Sequence, residues 1–123
     1  MEDFIDLLGV DELADGEMKG VKLDSHLFLV ARVSGTFYIA DGRCPHLHGN
    51  LTKGTLSGTV VRCPLHHSEF DLADGSVVQW TDWSGAALSV AKVVRHPRAL
   101  RVYDVKVADG RVLVGAQRGP DNG

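Results

Sequence analysis

The sequence contains little cysteine, no long apolar segment and no excess of positive charge, and each shortage excludes a class of protein. Its 123 residues include only two cysteines, too few for the disulfide framework of a small secreted domain. The longest uninterrupted apolar run, residues 27–31, is far shorter than the about 20 residues that cross a bilayer. A net charge of −3 gives no basic footprint for nucleic acid or an anionic membrane. We therefore expect a soluble chain with neither as a partner.

The N-terminal residues and the two cysteines point to a reducing compartment. The chain starts Met-Glu-Asp, without the basic start and long apolar stretch of a secretory signal, which indicates a cytoplasmic protein. In the cytoplasm an isolated pair of cysteines more often binds a metal or reacts than forms a structural disulfide. Cys44 and Cys63 are therefore the first candidates for a functional site.

Turn dipeptides containing glycine recur along the chain and separate short β-branched or aromatic runs, which predicts an all-β fold. Predicted strands span residues 4–8, 18–23, 26–33, 37–40, 59–62, 69–71, 77–80, 102–107 and 111–114. The last two should form a hairpin, since apolar and polar residues alternate along the first of them. We expect a single domain over residues 1–116 and a disordered polar tail over 117–123.

One segment has helical instead of strand periodicity. Between residues 86 and 95, Ala87, Leu88, Ala91 and Val94 recur at the spacing of one helix face, which predicts a short helix there. His96-Pro97 should end it, because the residue before proline avoids the helical region.

Two short segments carry soft thiolate and imidazole donors together. The first, in the loop 43–50, reads Cys44-Pro45-His46, and the second, in the loop 63–68, reads Cys63-Pro64-Leu65-His66. Thiolate and imidazole are both ligands of iron and zinc in proteins, so two adjacent loops would present a site with two sulfur and two nitrogen donors. The intervening residues 47–62 contain a predicted strand and turn glycines, which allow the chain to leave one loop and return beside it.

This donor pattern resembles that of the Rieske family, in which Cys-X-His is followed, after a gap of this length, by Cys-X-X-His. Further residues match the family pattern: Pro45, Gly49, Leu51, Gly54, Pro64, Phe70, Asp71 and Gly75. The resemblance implies an antiparallel β-sandwich with a small subdomain formed by the two loops. It also implies one [2Fe-2S] cluster per chain, with Cys44 and Cys63 on one iron and His46 and His66 on the other.

Other readings of the same residues remain open. A structural zinc site uses the same four donors, although a zinc finger would pair its cysteines as CxxC. His48 and His67 lie next to the proposed ligands and are interpreted as polar loop residues. Trp80 is assigned to the core, and the role of Trp83 is left open.

The neighbours of the ligands also have expected roles, of which those of Ser68 and Phe70 are implied by the resemblance. Leu47 and Leu65 would form an apolar rim that excludes water and meets a partner. Ser68 occupies the position from which a hydroxyl bonds a bridging sulfide in high-potential members. Phe70 occupies the position of a tyrosine that bonds a cysteine sulfur, and it has no hydroxyl. A potential in the lower or middle part of the family range is therefore expected.

Family membership leaves the particular function open. The chain lacks the loop disulfide of respiratory Rieske subunits and has no space for the catalytic domain of a terminal oxygenase, so we expect no catalytic residues. The preferred reading is a ferredoxin that carries one electron from an NAD(P)H-dependent flavin reductase to an oxygenase or another terminal enzyme. The alternative is the small subunit of an NAD(P)H nitrite reductase, and the alternative of another class is a zinc-bound interaction module.

Overall fold

A computed structural model describes residues 4–45, 49–64, 67–79 and 99–118, and within these ranges the chain forms short strands and two 3₁₀ helices. The strands are β1 (Ile5–Gly9), β2 (Glu17–Leu23), β3 (His26–Val33), β4 (Thr36–Asp41), β5 (Thr55–Ser57), β6 (Val60–Arg62), β7 (Glu69–Asp71), β8 (Val77–Gln79), β9 (Val102–Ala108) and β10 (Arg111–Arg118). The 3₁₀ helices are Val10–Glu12 and Leu51–Lys53.

The strands form two antiparallel sheets. A six-stranded sheet has the order β1-β10-β9-β4-β3-β2, and a four-stranded sheet has the order β5-β6-β7-β8. The edge strands β1 and β2 of the larger sheet come into contact, so this sheet curls around its own interior. The predicted all-β, antiparallel architecture is confirmed.

β3 is buried on both faces, which explains its almost continuous apolar sequence. Leu29 and Ala31 contact one core, whereas Phe28 and Val30 contact the other, because successive strand residues point to opposite faces. The first core, called the cysteine core below, contains Leu29, Ala31, Ala40, Cys44, Leu51, Val61, Cys63, Phe70, Leu72, Leu100 and Val102. The second core contains Leu8, Leu13, Phe28, Val30, Phe37, Ile39, Val112 and Val114. The cysteine core takes residues from both sheets and therefore joins them.

Two hairpin turns have the backbone that their sequences predict. Ser34 and Gly35 have φ values of 51° and 80°, and Asp109 and Gly110 have values of 52° and 74°. Positive φ at both central residues is the type I′ geometry, whose twist matches that of paired strands. The second of these turns joins β9 to β10, and the predicted C-terminal hairpin is confirmed.

Besides the two 3₁₀ helices, which were not predicted, the structure differs from the sequence prediction at β5 and at the end of β10. β5 was not predicted, because three residues of mixed polarity have no periodicity of their own, and its conformation depends on pairing with β6. β10 continues to Arg118, which pairs with Val102. The prediction that the disordered tail begins at residue 117 is therefore wrong for Gln117 and Arg118, and residues 119–123 lie outside the described ranges.

The predicted helix over residues 86–95, together with Trp80 and Trp83, lies outside the described residues. Within the ranges that are described, the structure has no helix with the length and apolarity that a membrane crossing requires.

Candidate metal centre

Both cysteines lie in loops that meet at the cysteine core. The first loop follows β4 and ends at the 3₁₀ helix Leu51–Lys53, and the second joins β6 to β7. The side chains of Cys44 and Cys63 belong to the same buried core, and the two residues are 1% and 2% exposed. The two cysteines form no disulfide with each other. Two buried thiols in one core are a suitable half of a metal site.

Each of the two loops is closed by a backbone hydrogen bond between equivalent positions. The amide of Cys44 donates to the carbonyl oxygen of Gly49 at 2.8 Å, and the amide of Cys63 donates to that of Ser68, also at 2.8 Å. Each bond spans five residues and encloses the segment that contains one predicted histidine ligand. The two loops therefore have the same backbone closure, although the first follows a strand of the larger sheet and the second joins two strands of the smaller sheet.

Backbone contacts inside and beside the second loop fix its shape. The amide of His67 donates to the carbonyl oxygen of Cys63 at 3.1 Å, and His67 itself adopts a φ of 59°. The carboxamide of Gln79, at the end of β8, donates to the carbonyl oxygen of His67 at 3.2 Å. The loop is thus tied to the next strand of its sheet.

Two glycines allow the backbones around the loops to approach closely. A Cβ atom on Gly42 would lie 2.6 Å from Cγ of Leu27, and one on Gly54 would lie 1.9 Å from the carbonyl oxygen of Arg62. Gly42 also links the first loop to its surroundings, because its amide donates to Leu27 and its carbonyl accepts from Leu51, both at 2.8 Å. In the sequence, Asp41-Gly42 is one of the turn dipeptides, and no local signal distinguishes a turn glycine from one required by close packing.

A polar group braces the strand that leads into the first loop. Oδ1 of Asp41, three residues before Cys44, accepts a hydrogen bond of 2.6 Å from the hydroxyl of Tyr103 and lies 2.8 Å from Nε2 of His26. Burial and the Asp41 carboxylate raise the pKa of Tyr103 well above its ordinary value, because both disfavour the phenolate. Sequence reasoning missed this brace, since 62 residues separate its two main members.

The predicted neighbours of the cluster are placed consistently with their assigned roles where they are described. Ser68 and Phe70 are both fully buried, and the Phe70 ring belongs to the cysteine core. His46, Leu47, His48, Leu65 and His66 lie outside the described residues. Among the residues that are described, no three histidine, cysteine or acidic side chains are grouped to hold a metal ion. The described part of the site is therefore its sulfur half.

The residues present fit the sulfur half of an iron–sulfur cluster. A cluster of this kind needs deprotonatable thiols that are reduced, shielded from solvent and held on a fixed backbone. Cys44 and Cys63 fit these conditions through their burial, the absence of a disulfide between them and their matching loop closures. Fold and site together define an iron–sulfur protein of the small antiparallel β class.

Comparison with known proteins identifies the family. The model of the Rieske [2Fe-2S] domain matches residues 3–109. The ferredoxin component of the alkene monooxygenase system of Xanthobacter autotrophicus is 30% identical, over 98% of this chain and 88% of its own. The ferredoxin component of the p-cumate 2,3-dioxygenase system of Pseudomonas putida is 31% identical, over 93% and 86%. A solved ferredoxin of Sphingomonas yanoikuyae is 26% identical and superimposes with a TM-score of 0.72, over 91% and 97%.

The chain belongs to the Rieske [2Fe-2S] domain family, and its cofactor is a [2Fe-2S] cluster. The two curated relatives described above are named as ferredoxin components, which are electron carriers and not catalytic subunits. The family and cofactor inferred from the CxH and CxxH spacing are confirmed.

Proposed function

We propose that this protein is a cytoplasmic one-electron carrier that takes electrons from an NAD(P)H-dependent flavin reductase and passes them to an oxygenase or another terminal enzyme. The observation that carries the proposal is the pair of buried cysteines, not joined by a disulfide, on loops closed by equivalent hydrogen bonds. The names of the relatives support the oxygenase as acceptor, since they are components of monooxygenase and dioxygenase systems.

In this proposal Cys44 and Cys63 bind one iron, and His46 and His66 bind the other. A cluster bound in this way supplies a centre that can gain and lose one electron. Two thiolates bring less negative charge to the site than four would, so an added electron is repelled less. The apolar neighbours of the thiols exclude water from the sulfur side. Leu47 and Leu65 are proposed to shield the histidine side and to meet the partner.

The experiment begins with protein purified in air. We expect a red-brown protein that contains iron and labile sulfide in the ratio of a [2Fe-2S] cluster and has a Rieske-type EPR signal after reduction. A colourless protein containing zinc would contradict the proposal and support the zinc-bound module.

The carrier role is tested separately with redox proteins of a related oxygenase system. With NADH as the electron donor, a catalytic amount of the flavin reductase should reduce the cluster, and the terminal oxygenase should reoxidise it. The Cys44→Ser variant, which lacks a ligand, provides the control without electron transfer. Co-purification in a permanent complex with a flavoprotein nitrite reductase would contradict the free-carrier role.

A further inference from the structure

The charges of this chain are distributed unevenly between the cluster loops and the rest of the molecule. Residues 42–68 contain three basic residues and no acidic residue. The other described residues contain seven basic and twelve acidic side chains, and the whole chain has a net charge of −3. The loop segment therefore carries an excess of positive charge between the flanking acidic residues Asp41 and Glu69, although the molecule as a whole is negative.

Two of the three basic residues adjoin the cysteines in the sequence, and the third ends the 3₁₀ helix that follows the first loop. Arg43 and Arg62 directly precede Cys44 and Cys63. Arg43 forms an isolated β-bridge with Asn50, the residue that caps the 3₁₀ helix ending at Lys53. We call Arg43, Lys53 and Arg62 the basic rim.

Close packing at Gly54 brings the backbone at Lys53 next to that of Arg62. Gly54 follows Lys53 and packs against the carbonyl group of Arg62, so that the helix end and the second loop are in contact. Arg43 and Lys53 are exposed, and the side chain of Arg62 is 43% exposed. Arg43 and Lys53 are therefore accessible to a partner that approaches the loops, whereas Nε of Arg62 is buried.

A hollow of about 260 Å³ lies beside the second loop, with Arg62 of the basic rim in its wall. Its walls are Gly54, Thr55, Arg62, Cys63, Pro64 and His67. Glu69, on the neighbouring strand, lies 3.8 Å from Arg62 and offsets part of its charge. The excess positive charge of the loop segment therefore comes mainly from Arg43 and Lys53.

We propose that the redox partner of this protein docks on the basic rim through an acidic face, with a carboxylate entering the hollow beside Arg62. The inference rests on the proposed carrier function, because it places the partner at the cluster loops. At physiological ionic strength charges are screened over about 8 Å, so a partner at the loops responds to the rim more than to the acidic surface elsewhere. Three cations are too few to hold a nucleic acid, which needs many phosphate contacts.

The test uses two redox proteins of opposite charge as electron acceptors from the dithionite-reduced holoprotein. Plastocyanin has an acidic docking patch and cytochrome c has a basic one. Stopped-flow rates at ionic strengths from about 0.01 to 0.5 M measure the attraction, because salt weakens favourable steering and relieves repulsion. We expect the rate with plastocyanin to fall several-fold as salt is added and the rate with cytochrome c to rise. The net charge of −3 predicts the opposite signs.

Single substitutions localise the effect. Arg43→Gln and Lys53→Gln should each lower the low-salt rate with plastocyanin by at least about twofold, and Glu69→Gln should raise it. Lys106→Gln is the matched control, because it removes the same charge from an exposed residue near the far end of β9. An equal effect of Lys106→Gln would show that the net charge of the molecule sets the rate, and would overturn docking on the basic rim. Repetition with trianionic ferricyanide and a tricationic cobalt complex should give the same signs.

Failure of this inference differs from failure of the proposed function. A protein without the cluster spectrum overturns the proposed function and this inference with it. An intact spectrum with faster transfer to cytochrome c at low salt overturns the acidic partner alone. Binding of the holoprotein to vesicles of anionic lipid, weakened by Lys53→Gln but not by Lys106→Gln, would also overturn it in favour of a membrane surface.

Discussion

Tyr103 links the alkaline stability of the protein to the strand that leads into the first loop. Its phenol stays neutral in the folded state because burial and Asp41 raise its pKa. In the unfolded chain the proton leaves near the ordinary pKa of 10.0. The folded state then binds one more proton than the unfolded state, so the free energy of unfolding decreases as the pH rises through and above about 10.

We therefore predict that Tyr103→Phe lowers the free energy of unfolding by about 1 kcal/mol at neutral pH, the value of a partly exposed hydrogen bond. The variant should also lose part of the decline above pH 10. Urea denaturation followed by circular dichroism between about pH 7 and 11 measures both effects. Tyr38→Phe is the control, because the hydroxyl of Tyr38 makes no hydrogen bond with any residue that the structure describes. Equal slopes for wild type and Tyr103→Phe would contradict the role of the Tyr103–Asp41 contact.

The ligand assignment is also a prediction about single residues. Cys44→Ser and Cys63→Ser should abolish cluster assembly, and replacing His46 or His66 with alanine should abolish or severely alter it. His48→Ala should keep the Rieske spectrum, as should His67→Asn, since asparagine tolerates the positive φ at that position. Absorption and EPR spectra of the purified variants decide. Loss of the cluster in His48→Ala or His67→Asn, with retention in the His46 or His66 variant, would show that the histidine register is wrong.

Ser68 and Phe70 should tune the potential of the cluster. Both are fully buried, and Phe70 lies in the cysteine core, where a hydroxyl would be shielded from water. A donor near sulfur stabilises the added electron, so Phe70→Tyr should raise the potential and Ser68→Ala should lower it. We expect each shift to be on the order of tens of millivolts, within a family range of roughly −150 to +300 mV. Protein-film voltammetry at fixed pH measures the shifts, and a wild-type value near the top of the range would contradict this account.

At the scale of elements, the contact between the 3₁₀ helix Leu51–Lys53 and the second loop depends on a glycine. A Cβ on Gly54 would overlap the carbonyl oxygen of Arg62, so Gly54→Ala must separate the two segments. We predict lower cluster occupancy and a loss of stability of at least about 2 kcal/mol, as for other overpacked sites. Iron content and urea denaturation measure these effects.

Gly58→Ala is the control for Gly54→Ala. Gly58 lies in the β5–β6 turn with a φ of 57°, and nothing lies within 4 Å of the position that its Cβ would take. The expected cost is about 1 kcal/mol, from backbone conformation alone, with normal cluster occupancy. Similar iron loss in the two variants would contradict the importance of the close packing at Gly54.

The strands that sequence could predict are those with a signal of their own. β3 contains the apolar run 27–31, β9 alternates apolar and polar residues over 103–107, and the turns beside both strands contain glycine. β5 could not be predicted, because its three residues become a strand only through pairing with β6. The site divides in the same way. The spacing of Cys44 and Cys63 is visible locally, whereas contacts such as Tyr103 with Asp41 depend on how distant strands pair.

On the scale of the whole molecule, the two cores divide the protein into regions with different dependence on the cluster. The cysteine core contains both thiols and joins the sheets, whereas the second core contains neither thiol. β6 and β7 contribute Val61 and Phe70 to the cysteine core, and β10 contributes Val112 and Val114 to the second core. Ligand binding to the native state stabilises what is coupled to it, and regions with separate packing can open separately.

Removal of iron should therefore destabilise the molecule unevenly. In the apoprotein we predict faster amide hydrogen exchange across β5 to β8, because the thiols that anchor their shared core lose the metal that holds them in place. β10 should keep most of its protection, since it packs in the second core and pairs with both β1 and β9. Hydrogen exchange followed by mass spectrometry, on holoprotein, chelated apoprotein and Cys44→Ser, measures both regions in one experiment. If protection were lost as much in β10 as in β6, the two cores would unfold as one unit, and the metal would stabilise the entire fold instead of the small sheet and its loops.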